Sequence, residues 1–410
     1  MLILTIHNIT HAFNRFVSVI TTFFKKWNKA IAISVFNAIF ITIFTYILDN
    51  QTLFTGEDLS HYAFVELFKN KALRNDSLSN NNAFFINVAY DKQLVPYYEK
   101  NIEEGNIVIT DRAKLISLLR KIKRINNYKF IFLDIRFEKG IQDSINDKVL
   151  FNEIKDTRNI VVATHQDIEP NNTIIKSKLA MGDYDYSLFS TSFCRYLFKP
   201  ANGLSMPLYA YTTLTGKNIN KHGFIYTSDG QLCYNSIFID FPLENFNSLR
   251  NDGTKKFYNM GSDVLFDPSD TQLSKLTKDK FIVIGDMIND VHDTYAGKMP
   301  GSVINYRAFN ALMEGKHIVN FPIIILMACI YFAISFIQFV RIALKYEIPF
   351  VRNIKSKLFN FSLSFVTYTI ILNLFVILLK TFCGVSVSVF IATLFLSIQK
   401  VILKYKYQQK

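Results

Sequence analysis

Four uninterrupted apolar runs stand out along the chain, from residues 30 to 48, 321 to 340, 358 to 379 and 382 to 399, and none contains Asp, Glu, Lys or Arg. A bilayer crossing takes about 20 apolar residues, and a charge at mid-bilayer costs about 3 kcal/mol. Each run therefore predicts a transmembrane helix. Between the first and second runs the pattern changes to short apolar stretches alternating with amphipathic ones. NAFFINVAY (82–90) predicts a strand followed by Asp91, and GNIVITDRAKLISLLRKIKR predicts a short strand running into a helix. That helix places Leu115, Leu118, Leu119 and Ile122 on one face, with Asp111 as its N-cap. YKFIFLDIRF (128–137) predicts a buried strand interrupted by Asp134 and Arg136, DKVLFNEIKD a second helix, and NIVVATH the next strand. FIVIG (281–285) predicts a strand closing on glycine, and SVINYRAFNALMEG a helix with Val303, Ala308 and Leu312 on one face. Strands separated by helices predict an α/β domain with a mixed, mainly parallel sheet covered on both faces. From about residue 170 to 275, QLCYNSIFIDF and the turn pairs Asp229-Gly230 and Asp252-Gly253 predict a more open, antiparallel elaboration.

Composition sharpens the membrane reading. Half of the 410 residues are hydrophobic, and Phe alone counts 39. The net charge of +13 would suit nucleic acid, but its location does not. Residues 1–29, the loop 341–357 and the tail 400–410 each carry +4, Lys380 supplies the remainder, and residues 49–320 sum to zero. Basic charge confined to membrane flanks sets both termini and the 341–357 loop in the cytoplasm, and residues 49–320 outside. Nucleic-acid binding loses its support. The first run reads as an uncleaved signal anchor, preceded by an amphipathic stretch (1–29) suited to the inner membrane surface. Of the four cysteines, Cys329 and Cys383 fall in the apolar runs, while Cys194 and Cys233 either pair in an oxidising compartment or stay as buried thiols.

Candidate chemistry concentrates in GDMINDVHDTYAGKMPG (285–301), where Asp286, Asp290, His292 and Asp293 crowd together after the strand. A two-metal phosphoesterase centre would also need an upstream Asp-x-His pair and further histidines. The chain has 7 His, with His7 and His11 on the cytoplasmic side and no such pair upstream in the outer domain. Two readings remain for the loop: acids solvating a turn that Thr294 helps close, or one wall of a sensory pocket at the sheet's carboxyl edge, shared with Asp134 and Arg136. Those two side chains point to one face by the strand period. They are therefore paired, exposed at the strand's end or turned to a cleft. No phosphate loop, nucleophile elbow or zinc-spaced cysteine pair occurs, and the apolar runs hold polar but uncharged residues such as Asn37, Thr367 and Asn373.

The order of features resembles the second-type CHASE domain, an extracellular sensory module of bacterial adenylate cyclases, histidine kinases and serine/threonine kinases. TDRAKLISLLRKI comes first, then FIFLDIRF with the acidic QDSINDKVLFNEI, NIVVATH, and MGDYDYSLF with nearby Arg195. The closing KFIVIGDMINDVHDTYAGKMPGSVINYRAFNALMEGKHI completes a likeness that covers roughly residues 50–320. The resemblance implies a sensory α/β domain followed by three membrane helices. The cyclase or kinase that the family carries next is expected in a separate protein, because the fourth run is followed here by the tail 400–410, which ends in YKYQQK.

The sequence thus predicts a non-enzymatic sensor of a bacterial inner membrane, with its large domain in the periplasm and a signal relayed to a separate membrane or cytoplasmic effector protein. An accessory or mechanotransmitting subunit of a larger complex, and more remotely an outward-facing hydrolase, are the alternatives. The expected ligand site uses Asp134, Arg136, Asp286, Asp293 and Thr294 for an unidentified extracytoplasmic ligand, with no cofactor and no metal. The expected contact with a partner or with membrane lipids uses Arg341, Lys345, Phe350, Val351 and Arg352, where apolar positions sit among positive charges around a proline.

Overall fold

The computed structural model describes residues 2–50, 82–99, 102–138, 141, 143–164, 173–182, 193, 195–200, 203–239, 256–266, 269–294, 297–343, 357–383 and 389–408. They fall into two compact units. One comprises Leu48–Val319 with Leu379–Ser386, and the other Met1–Ile47, Asn320–Leu378 and Val387–Lys410.

Chain order begins with helix α1 (Leu2–Asp49), unbroken because no glycine or proline interrupts it. The segment expected as a separate surface helix and the first apolar run are thus one element. Strands β1 (Ala83–Asn87), β2 (Lys92–Glu99) and β3 (Ile102–Thr110) precede helix α2 (Arg112–Ile125). Then come β4 (Phe130–Asp134), α3 (Asp147–Asp156), β5 (Ile160–Thr164), β6 (Leu179–Met181), β7 (Arg195–Leu197) and α4 (Met206–Thr215). Short strands follow: β8 (Ile219–His222), β9 (Ile225–Ser228), β10 (Gln231–Cys233), β11 (Ser236–Phe238) and β12 (Tyr258–Asn259). A π-helical turn at Met260–Leu265 leads to α5 (Asp270–Thr277), β13 (Phe281–Gly285), β14 (Val291–Thr294), β15 (Gly297–Pro300) and α6 (Gly301–Met313). The last helices are α7 (Phe321–Ala343), α8 (Lys357–Cys383) and α9 (Phe390–Gln408).

The main sheet has six strands in the order β12-β1-β13-β4-β5-β6, every neighbouring pair parallel. Alternation along each strand feeds two cores. Phe85, Phe132 and Val283 pack with α4 and α6, while Ile86, Leu133 and Ile284 pack with α2 and α3. The expected face of α2 is buried at Leu115, Leu118, Leu119 and Ile122, and Asp111 caps the helix by accepting from the Lys114 amide at 3.0 Å. On α6 the aromatic pair Tyr306 and Phe309 meets Phe132 and Phe281 edge-on or tilted.

Several expectations shift. The stretch before α2 is a hairpin of β2 and β3 rather than one short strand. The middle region carries antiparallel pieces as expected, β8–β9–β10 and β7–β11, but also supplies β6 and β12 to the parallel sheet and the unforeseen helix α4. Strand β4 ends at Asp134, so the period-two argument does not reach Arg136.

Three helical segments, Lys25–Asp49, Phe321–Val340 and Leu358–Leu378, are long and apolar enough to cross a membrane. The fourth expected run is divided: Phe382 and Cys383 continue α8, and α9 begins at Phe390 and carries Lys400, Lys404 and Lys406. Nothing in the sequence stops α8 earlier, since the first glycine or proline after Lys357 is Gly384. The helical unit is tied by uncharged polar groups. Asn37 Nδ2 donates to Ser335 Oγ at 3.1 Å and to Gln399 Oε1 at 2.7 Å, joining α1, α7 and α9.

Candidate functional site

The carboxyl edge of the parallel sheet is where the predicted residues should meet. Strands β1 and β4 lead onto the face covered by α2 and α3, whereas β13, lying between them, leads through β14 and β15 to α6 on the other face. Divergent connections from adjacent strands open a crevice at their carboxyl ends. Asn87, Gly285 and Asp134 end those strands side by side, in register.

Asp134 has the parity of Phe132, so it faces α6, and Asn305 Nδ2 donates to its Oδ2 at 3.1 Å. Asn305 in turn accepts from the Tyr196 hydroxyl at 2.6 Å, so a Tyr-Asn-Asp chain runs from the buried Tyr196 and Asn305 to the half-buried Asp134. Gly285 permits this approach. A Cβ there would lie 2.8 Å from Ser302 Cβ, so only glycine lets the start of α6 seat on the strand ends.

Asp286 follows directly and turns back on its own loop. It accepts from the amides of Ile288 (3.1 Å) and Asn289 (2.8 Å) and pairs with Lys92 at 3.0 Å. Burial would raise its pKa, but the bonds from Asn289, Lys92 and Ile288 together hold it below the ordinary carboxylate value. The expected strand-to-helix loop is in fact a turn and a β-hairpin, with Asp293 opposite Lys298 and Thr294 opposite Gly297. Asp290 contacts His292 at 3.1 Å, and Asp293 is exposed, its carbonyl accepting from the Phe193 amide at 2.6 Å. Thr294 does close the loop, its hydroxyl donating to the Gly297 carbonyl at 2.6 Å.

The five predicted ligand residues therefore do not form one pocket wall. Asp134 and Asp286 share the carboxyl edge, Thr294 and Asp293 belong to the hairpin, and Arg136 is exposed and pairs with Glu138 at 2.9 Å. The physical reason is that β4 stops before Arg136, freeing the guanidinium to reach solvent. Arg341 lies in α7, while Lys345, Phe350, Val351 and Arg352 lie outside the described residues. Burial pushes the Cys233 thiol up to about 12, and Cys194 also lies outside the described residues.

A second constellation has no counterpart among the predicted site residues. It sits where the chain enters and leaves the α/β unit. Arg195 on β7 is 4% exposed, and its Nη2 pairs with Asp49 Oδ1 at 2.9 Å while Nη1 donates to the Asp49 carbonyl at 2.7 Å. It caps the last turn of α1 with a cation, as a helix C-terminus favours. Antiparallel pairing of β7 with β11 sets Phe238 opposite Arg195, and the guanidinium lies 3.9 Å from that ring. Asn50, next in the chain, accepts from the Asn235 amide at 2.6 Å. The departing segment docks on the same stretch: the Tyr234 amide donates to the His317 carbonyl at 2.7 Å, and the Val319 amide to the Leu232 carbonyl at 3.0 Å. Residues 232–235 thus hold both ends of the unit. Asn235 is itself fixed, its side chain bonding the backbone of Lys199 in both directions.

His317 lies in that departing segment, buried against Tyr211, with neither ring nitrogen hydrogen-bonded. Burial, with a smaller contribution from Lys217, lowers its pKa to about 4. In the sequence Arg195 is an isolated charge in a polar region, and Asn235 one of many asparagines. Their pairing over long separations left no periodic trace to find.

Among known proteins, no family model, no curated protein and no solved structure matches this chain. The likeness to the second-type CHASE domain rests on the motifs alone.

Proposed function

We propose that this protein is a membrane-anchored sensor whose α/β domain faces away from the cytoplasm and passes a signal to a separate partner protein. The observation that supports it is the clamp at residues 232–235, which grips both the end of α1 and the segment preceding α7. A domain held to its two helices through one short element transmits any displacement of that element to both at once. Basic charge at residues 1–29, 341–357 and 400–410, with a neutral domain between, supports the orientation.

Two measurements test the reading. Reporter fusions after residue 345 and at the C-terminus should be cytoplasmic, and fusions near residues 200 and 300 external; an external C-terminus would end the proposed orientation. Hydrogen exchange on the full chain in lipid nanodiscs should show that Asn235→Ala loosens residues 46–50 and 315–319 together. If only one segment responds, residues 232–235 do not couple the two ends, and the relay is lost.

A further inference from the structure

At the outer flank of the carboxyl edge, beside β1 and β12, lies a shallow cleft of about 520 Å³, largely open to solvent. Ligand sites commonly enclose about 300–1,000 Å³ and lie at the carboxyl edge of parallel sheets. Its walls include Tyr90, which follows β1, and Phe266, which follows the π-helical turn. Both aromatic residues are largely in solvent, Tyr90 at 70% and Phe266 at 85% exposure. What sets them apart from singly exposed apolar residues elsewhere on the surface is that both line the same cleft. Between them the surface is polar: Asn259, Ser262, Asp91 and Lys114 also line the cleft.

That polar surface is built rather than incidental. Asp91 is buried, accepts from Lys114 Nζ at 2.7 Å and from the Gly261 amide at 2.9 Å, and leaves no room for a side chain on Gly261. The π-helical turn that carries Gly261 is a rare backbone form that frequently marks functional sites. Its charge balance limits the ligand. Asp91 is already matched by Lys114, so an incoming cation gains no free carboxylate there, and an anion would have to compete with Asp91 for the Lys114 ammonium. A neutral ligand remains, with an apolar face to lie on the aromatic rings and a rim of hydroxyls to meet amide, hydroxyl and ammonium groups.

We infer that this cleft binds a neutral, polyhydroxylated sugar ring, stacked on Tyr90 or Phe266 and hydrogen-bonded through Asn259, Ser262 and Lys114. The inference supplies a ligand class for the sensor proposed above and rests on that reading only for its purpose, since binding itself is measured separately. The turn at Met260–Leu265 follows β12 directly, so occupancy of the cleft acts on an edge strand of the main sheet.

The test is saturation-transfer-difference NMR on the full chain in lipid nanodiscs, free of sugar-headed detergent, with D-glucose, D-galactose, D-mannose and N-acetyl-D-glucosamine as probes and adenosine as comparison. At least one sugar should receive saturation, Phe266→Ser should weaken its binding about tenfold, and Phe266→Trp should retain it. Because Phe266 is exposed, the serine variant keeps the fold, which an unchanged amide spectrum verifies. Saturation of none of the sugars, saturation undiminished in Phe266→Ser, or saturation of adenosine alone would overturn the inference. Sugar binding that leaves exchange at residues 315–319 unchanged would keep the site but remove it from the relay. Paired loosening in Asn235→Ala without any sugar binding would keep the relay and remove this ligand class.

Discussion

In the α/β unit, β1, β4 and β13 turn Phe, Ile, Leu and Val into two dry cores; in the helical unit the enclosed positions include Ser34, Asn37, Ser335, Ser397 and Gln399, and Phe36, Ile325, Ile370 and Leu374 face outward. One unit is built for water outside and the other for lipid outside. In a lipid surround apolar burial between helices contributes little, so small and hydrogen-bonding residues hold the helices together. In water apolar burial dominates, and a polar group enters the interior only with its partners. The same twenty side chains thus trade places according to the solvent. The α/β unit departs from apolar burial at Arg195 and Asp49, an enclosed ion pair, each the other's partner, close to where the chain enters the unit.

That exception should give the largest effect. Arg195→Ala leaves the Asp49 carboxylate buried without its cation and removes the contact with Phe238. It should destabilise the α/β unit by about 3–5 kcal/mol, measurable by pulse proteolysis of the full chain in urea. A change below about 1 kcal/mol would make the pair no better than a surface one.

His317 sharpens the contrast through pH. Its folded-state pKa, about 4, lies below the ordinary 6.5, so the unfolded chain binds the proton more tightly. Its contribution is intact above pH 6.5 and is lost as pH falls from 6.5 through 4, by about 3 kcal/mol in all. His317→Phe, which keeps the ring against Tyr211, should abolish this step in a pH series of unfolding midpoints. A step that persists in the variant would belong to another group.

Packing comes next. Gly285→Ala forces a methyl onto Ser302 at the start of α6, and overpacking of this kind costs about 1–3 kcal/mol. A compensating Ser302→Gly should recover part of the loss, which an uncoupled pair of sites would not show.

Within the helical unit the expected penalty is smaller. Asn37→Leu removes the bonds to Ser335 and Gln399, and interhelical bonds in membranes average about 0.6 kcal/mol and reach about 1.7. Steric-trap or detergent-titration unfolding in nanodiscs reads this range directly. A loss as large as that of Arg195→Ala would show that the helical unit is packed by the rules of a water-soluble core. The smallest effect belongs to Asp286→Asn, which leaves the turn's amide bonds in place and forfeits a partly exposed pair with Lys92, about 0–1 kcal/mol.

Much of the framework was legible because it obeys local rules. Leu115, Leu118, Leu119 and Ile122 recur at helical spacing, and a face that recurs locally must be buried by something. Asp111 caps α2 through a bond three residues away. FIVIG and FIFLD read as buried strands because they lack the alternation of a strand with one wet face, and both became central strands of the parallel sheet. Element ends were less legible. Its spacing from Asp134 would place Arg136 in the strand, while the actual end of β4 depends on where its partner β13 stops pairing, at Gly285 opposite Asp134.

By itself the sequence determined the apolar helices, their basic flanks, the neutral α/β insert and the apolar faces of its helices, because each depends on residues within a few turns of one another. Only the tertiary structure decided the insertion of β13 between β1 and β4, the seating of Ser302 against Gly285, and the meeting of Asp49 with Arg195 and of Asn50 with Asn235. The last two contacts join residues 146 and 185 positions apart. A lone arginine or asparagine carries no local mark of its partner, since the energy of such a pair resides in burial and geometry that exist only once the chain has closed on itself.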